Sequence, residues 1–287
     1  MHRNEENMYH ILKAEIGKLF KSRTFLVCSI ITVVMSLVLV ISYKMMAQMY
    51  GPELIEQLNE QAAGSSGVSV QASQELDFSF LQNLSGIAMI EMTFSGDVVQ
   101  TLLAVLVSIF VCSEFSGGAI KNIASRGFSR TKIYTAKYLV CMIGGVILAI
   151  IAIVTSFLAG TILWEVGETG KDFTSNLFTF LGIQFLLTVA LTGLMVFISI
   201  VIRNTGAAIA INICVIMFSS IIFSLIDLVI KHEEIKAAEY WIGNLMVNIS
   251  SLNVPAELIE KGLIVGLLTL VASYVAGVVQ FKISDIK

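Results

Sequence analysis

Six stretches of the chain carry apolar side chains with almost no charge between them: Thr24–Tyr43, Val98–Ser113, Tyr138–Trp164, Leu177–Ile202, Ala207–Ile230 and Gly262–Phe281. A helix rises 1.5 Å per residue, and a hydrocarbon layer of about 30 Å asks for about 20 such residues, so each stretch predicts a membrane-crossing helix. An even number of crossings returns both ends of the chain to one side. Gly86–Phe94 is also apolar but short, and Glu91 and Asp97 oppose its full insertion; it reads as a re-entrant or interfacial helix.

Ahead of the first crossing, Glu6–Lys21 has a helical period, with Met8, Leu12, Ile16, Leu19 and Phe20 on one stripe and Lys13, Lys18 and Lys21 elsewhere on the wheel. That pattern predicts a helix lying in the interface against anionic lipid, or else a short helix packed on protein. About 23 mostly polar residues precede the first apolar run, which is longer than a signal-peptide core, so it is expected to stay as an anchor. Segment 44–96 predicts an insertion with a helical piece at Pro52–Ala62 and a flexible turn at Gly64–Gly67. Segment 231–261 predicts an acidic amphipathic helix followed by Trp241 and a loop broken at Pro255. The whole of 1–287 reads as one all-α transmembrane domain, without internal repeats.

Composition sharpens this picture. The chain is 56% hydrophobic and only 14% charged, with a mean hydropathy of +0.86, whereas soluble chains carry about 25% charged residues. Thirteen of the 18 Lys and Arg residues fall on the side of the termini, and sixteen of the 21 Asp and Glu residues on the other. The positive-inside bias therefore predicts both termini on the cytoplasmic side of a cell membrane, expected to be a bacterial one. Tyr43, Tyr138 and Trp164 fall at predicted membrane edges, where amphipathic rings settle. Cys28, Cys112, Cys141 and Cys214 lie in apolar runs, and His2, His10 and His232 are scattered, so neither a disulfide framework nor a metal site is expected.

The segment with most chemistry comes after the second crossing: Glu114-Phe115-Ser116-Gly117-Gly118-Ala119-Ile120-Lys121-Asn122-Ile123-Ala124-Ser125-Arg126-Gly127-Phe128-Ser129-Arg130-Thr131-Lys132-Ile133-Tyr134-Thr135-Ala136-Lys137. An acid closes the crossing, two glycines follow, then a short helix-capable piece, then a run of basic residues. A plain positive-inside loop explains the bases but not the Glu-x-x-x-Gly start or the paired Ser-Arg turns.

This loop resembles that of the permease subunits of type-2 ATP-binding-cassette exporters, which typically reads E-[FY]-x-x-G-T-I-K-N, a short gap, then S-R-G-x-S-R-x-K-I-Y-x-x-K. The likeness extends to the amphipathic leading helix, the six crossings and the enlarged first exterior loop. Ala119 departs from the usual Thr, and Gly127 stands where many relatives have Pro. The resemblance implies that Glu114–Ala124 is a coupling helix seated in a cleft of a separate ATPase. Glu114, Phe115, Ser116, Gly117, Gly118, Ile120, Lys121 and Asn122 would form the contact. Arg126, Arg130 and Lys132 would pair with acids of the partner or with lipid phosphates. It implies a second permease copy, two ATPase copies and no cofactor in this chain, ATP and Mg being held by the partner. The implied activity is export of an amphipathic or hydrophobic substrate, such as an antimicrobial or cytolytic peptide or a lipid-like compound.

Other motifs fail. Ser116-Gly117-Gly118 imitates an ATPase signature, and Gly167–Asp172 part of a phosphate loop, but the G-x-x-x-x-G-K-[ST] spacing is missing. No catalytic, nucleic-acid or metal role is expected. Gln184, Thr188, Asn212 and Ser219 within the crossings, with Asp227 near an exterior end, are candidates for a translocation path, although such residues more commonly join helices. An ion-coupled carrier is the rival, and it asks for ionisable groups or broken helices at depth; a membrane immunity or sequestering protein is the other. The acid-rich exterior segments, with Glu53, Glu56, Glu60, Glu75 and Asp77 in one and Glu233, Glu234 and Glu239 in the other, suit a cationic ligand.

Overall fold

A computed structural model of the full chain describes residues 2–49, 83–95, 97–116, 129–167, 173–230 and 236–283. Among these are nine α-helices and no strand: α1 (His2–Lys21), α2 (Arg23–Met49), α3 (Gly86–Ser95), α4 (Val98–Ser116), α5 (Arg130–Leu163), α6 (Phe173–Ile202), α7 (Thr205–Ile230), α8 (Ile242–Asn248) and α9 (Ala256–Ile283). Six of them, α2, α4, α5, α6, α7 and α9, are long and apolar enough to cross a membrane. The protein is an all-α polytopic bundle. Helices α5 and α9 begin earlier than the apolar runs suggest, because Ser129 caps α5 by accepting the Lys132 N–H, and α9 starts directly after Pro255. That start replaces the loop expected there.

The termini share one face. Arg130, opening α5, donates to the carbonyl of Lys282 near the end of α9 at 3.1 Å. This is the terminal face, and the opposite one is the far face. The core sits between α4, α5 and α6, where Leu103, Ala104, Val107, Leu148, Ala149, Leu187, Ala190 and Val196 are closed off from solvent. In contrast α2, α7 and α9 turn rows of Leu, Ile and Val outward, the surface that hydrocarbon covers in a membrane.

The second crossing is preceded by a separate short helix. Helix α3 runs along the far end of α5, with Gly86 against Phe157 and Thr161, and Gly160 against Met89. Helix α4 continues down α5, with Leu103 over Gly145, Leu106 over Gly144, and Glu114 beside Lys137. By that register the break before Asp97 lies about 19 Å inside the far end of α5. A turn at Glu165–Gly167 holds the top of α3, the carbonyls of Glu165 and Val166 accepting the N–H groups of Gly86 and Ile87 at 2.8 and 3.1 Å. Gly167 has φ +99° and packs so closely on Ser85 that a side chain has no room.

On the far face the expected amphipathic helix before Trp241 falls partly on residues 231–235, outside the described residues. The chain then makes a 3-10 turn, Ala237–Tyr240, and enters α8 after Trp241. Trp241 stacks on Phe223 of α7 at 5.1 Å. The helical piece at 52–62 and the turn at 64–67 also lie outside the described residues.

The candidate functional site: an ion cluster at the terminal face

Helix α1 packs part of its apolar stripe on the bundle: Ile11 and Leu19 are buried, with Leu12 and Ile16 packed on the core, while Phe20 of the same stripe faces outward. Ser22 makes the corner into α2: its N–H donates to the Leu19 carbonyl, and its Oγ caps α2 by accepting the Phe25 N–H at 3.0 Å. Tyr9, Lys13, Phe20 and Lys21 stay on the outer side.

One residue on the buried stripe is an acid, Glu15. It meets Lys18 at 2.6 Å and Lys137 of α5 at 3.3 Å, while Glu114, near the end of α4, meets Lys18 at 3.3 Å and also pairs with Lys137. Two carboxylates and two ammonium groups thus close a neutral ring. The Lys137 side chain is 1% exposed and that of Glu15 3%, and the Lys137 ammonium also lies 5.3 Å from the centre of the Phe110 ring. Burying such charges is tolerable only with close partners. Burial alone raises the Glu15 carboxyl, but the charges and hydrogen bonds of Lys137 and Lys18 outweigh it and hold the group below its ordinary value. Burial likewise lowers Lys18, and Glu15 with Glu114 reverses the sign and raises it.

This pairing sets a pH dependence. A carboxylate with a depressed pKa stabilises the docked helix above its ordinary titration range and loses that contribution as pH falls through its folded value. A spin label at the exposed Ala14 is therefore expected to stay immobile from neutrality down to about pH 4.5 and to gain mobility below about pH 4. Unchanged mobility down to about pH 3 would mean that the ion pairs do not dock α1.

The ring joins three helices beside the basic segment between the second and third crossings. Glu114 stands near the end of α4 and Lys137 two turns into α5, so one pair holds these two helices together and ties them to α1. Phe115 packs edge-on to Phe281 at 6.2 Å, with the Arg203 guanidinium 5.5 Å from its ring centre. Ser116 is the last residue of α4, and Lys132 lies in the first turn of α5, half-buried. Arg130 bonds α9 rather than facing only outward. Gly117, Gly118, Ile120, Lys121, Asn122 and Arg126 lie outside the described residues. Glu15, Lys18 and Lys137 were missing from the sequence-derived site, although an acid on the apolar stripe of α1 was a readable signal.

Behind the ring, α5 and α9 are joined by a hydroxyl ladder. Tyr138 donates to the Leu270 carbonyl at 2.9 Å and shares a hydrogen bond with Ser273 at 2.8 Å; Tyr134 donates to the Ser273 carbonyl at 3.3 Å, and Thr135 pairs with Tyr274 at 2.8 Å. Gly277 of α9 lies under the Tyr134 ring, and Gly193 of α6 under that of Tyr138.

The candidate path residues are not brought together at one point; they lie at separate levels along α6 and α7. Gln184, Thr188, Asn212 and Ser219 are all buried. Gln184 donates to the carbonyls of Met246 and Ile249 at 2.8 and 3.2 Å, holding the end of α8. Asp227 acts as a cap, its carboxylate accepting the N–H groups of Ala237 and Ala238 at 2.5 and 2.9 Å. Ser219 bonds only its own helix, at Ile216. Glu91 of α3 accepts the Leu252 N–H at 2.6 Å, so the α8 segment is anchored from three sides. Among the described residues no group of His, Cys, Asp and Glu could hold a metal ion.

Fold and site together define a multi-pass helical membrane protein with a buried ion ring at the face that carries its termini. Residues 63–286, more than three quarters of the chain, match the family described as "Protein of unknown function (DUF2705)", and the chain belongs to that family. Glu114 and Lys137 fall within the matched region; Glu15 and Lys18 precede it. No curated protein matches the chain.

Proposed function

We propose that the chain is the membrane-spanning subunit of an ATP-driven exporter, worked by two copies of a separate ATPase that bear on the loop between Glu114 and Lys137 of each of two permease copies. The observation that carries this reading is the ion ring, which fastens α4 and α5 to each other and to α1. Helices α1, α4 and α5 fastened in this way move together, so a push from below tilts α4 and α5 as one unit. The ladder from Tyr134 and Tyr138 carries the same motion into α9. The membrane is the cytoplasmic one, and the cargo is an amphipathic or hydrophobic peptide or lipid-like molecule moved outward.

The test is affinity capture of the chain from its native membrane in mild detergent, with mass spectrometry and an ATPase assay on the eluate. A stoichiometric ATP-binding-cassette ATPase is expected, with its turnover uncoupled from transport in Glu114→Gln. Capture of the chain alone, with no ATPase activity, would reject the reading.

An ion-coupled carrier is favoured by one separate observation, the interruption between α3 and α4 with Glu91 and Asp97 on its two sides. Transport in sealed vesicles that tracks a sodium or proton gradient and ignores ATP would select it.

A further inference from the structure

Between residues 8 and 30 the chain has one acid, Glu15, and four bases, Lys13, Lys18, Lys21 and Arg23. The ion ring takes up Glu15 together with Lys18 and is itself neutral. Lys13, Lys21 and Arg23 are left over. All three are exposed, and among the described residues none of them pairs with an acid.

Two of these bases flank the corner between α1 and α2. Only Ser22 separates the helices, so Lys21 and Arg23 stand where the first crossing enters hydrocarbon. Phe20 stands beside them. It follows Leu19 by one residue, a rotation of about 100° on the helix, and that step leads from a side chain 1% exposed to one 53% exposed. Its ring meets Phe25 of α2 edge-on at 5.5 Å, and the next residues of α2 to face outward are Leu26, Val27 and Ile30. The apolar outer surface of the crossing therefore continues around the corner onto α1 and ends among bases.

We propose that this corner is a docking site for an anionic phospholipid of the leaflet at the terminal face. Lys21 and Arg23 hold its phosphate, Lys13 adds charge further along α1, and its acyl chain runs along Phe20 and the outer surface of α2. Charge selects the headgroup: unpaired ammonium and guanidinium groups at a membrane edge attract a phosphate, and a zwitterionic headgroup weakens that attraction with its own cation. The apolar strip selects lipid over a soluble anion, which has nothing to lay on Phe20. Helix α1 thus divides its surface, with protein on one edge and lipid on the next. The site is independent of the exporter reading.

The test is fluorescence quenching of the full-length Phe20→Trp chain in nanodiscs of mixed phosphatidylcholine and phosphatidylglycerol, with one lipid or the other brominated high on its acyl chains. Trp164 and Trp241 lie toward the far face, and their signal is subtracted with the parent chain. At equal mole fraction, phosphatidylglycerol is expected to associate with the new indole about fivefold more strongly than phosphatidylcholine, the effect of one base beside an anionic leaflet. Added salt should shrink that ratio. Lys21→Gln combined with Arg23→Gln removes no ion pair found among the described residues and should bring the ratio to about one. Lys282→Gln, which removes an exposed base at the end of α9, should leave it where it is. Equal quenching by the two lipids, or a ratio that the double replacement does not move, would overturn the proposal. So would an equal loss in Lys282→Gln, which would reduce the site to diffuse attraction, and quenching by neither lipid, which would put protein or water over Phe20.

Discussion

Replacing Lys137 with methionine is expected to cost the folded chain about 3–5 kcal/mol and to release α1 from the bundle. Lys137 is the only member of the ring that is both cationic and fully buried, and it contacts both acids. Methionine matches its length and supplies apolar contact with Phe110, so lost packing is a minor part of the effect. The damage comes from Glu15 and Glu114, left together in a dry site with only the half-exposed Lys18 to answer them. The sign can be isolated. In the triple replacement Glu15→Gln, Glu114→Gln, Lys137→Met the one ring charge left is that of the half-exposed Lys18, which water reaches, and most of the lost stability should return. Denaturant titration of the detergent-solubilised chain measures both variants. A Lys137→Met chain as stable as the parent would show that the ring is not closed in the membrane.

Gly277→Ala is the second large effect. In the middle of a helix this exchange ordinarily stabilises by up to about 1 kcal/mol, because glycine loses more backbone freedom on folding. Here the new Cβ would meet Cε2 of Tyr134 at 2.8 Å and run into the hydroxyl end of the same ring. Tyr134 is wholly buried between Tyr138, Tyr274 and Phe281 and has no space to retreat. A loss of about 1–3 kcal/mol is expected, as for other overpacked cores. Combining it with Tyr134→Phe removes the most crowded atom and should recover part of the loss beyond additivity. A neutral or stabilising Gly277→Ala would place α9 elsewhere against α5.

How much of this could be read beforehand depended on the range of the interaction. The six crossings are stated by runs of apolar residues, and their number alone brought the termini to one face. Helix α3 announced itself as apolar yet too short and too acidic to cross, but nothing local says that it prolongs α4. The polar positions were half legible: Gln184, Thr188 and Asn212 stand out in apolar runs, whereas Gln100, near a predicted edge, and Ser108, a small hydroxyl residue in its run, do not. Asp227 was noticed for its charge, and its use as a cap depends on Ala237 and Ala238 folding back to it. The ion ring was least legible. Glu15 and Lys137 are 122 residues apart, and no periodicity links an acid in an amphipathic stripe to a lysine in a basic loop.

That separation also has a meaning in time. At about 5–20 residues per second of synthesis, Glu15 is made some 6–25 s before Lys137. Until the third crossing has been threaded, the leading helix has no buried ammonium to receive its acid, and it waits at the membrane surface. Docking of α1 thus registers that the first three crossings have been inserted in the right order.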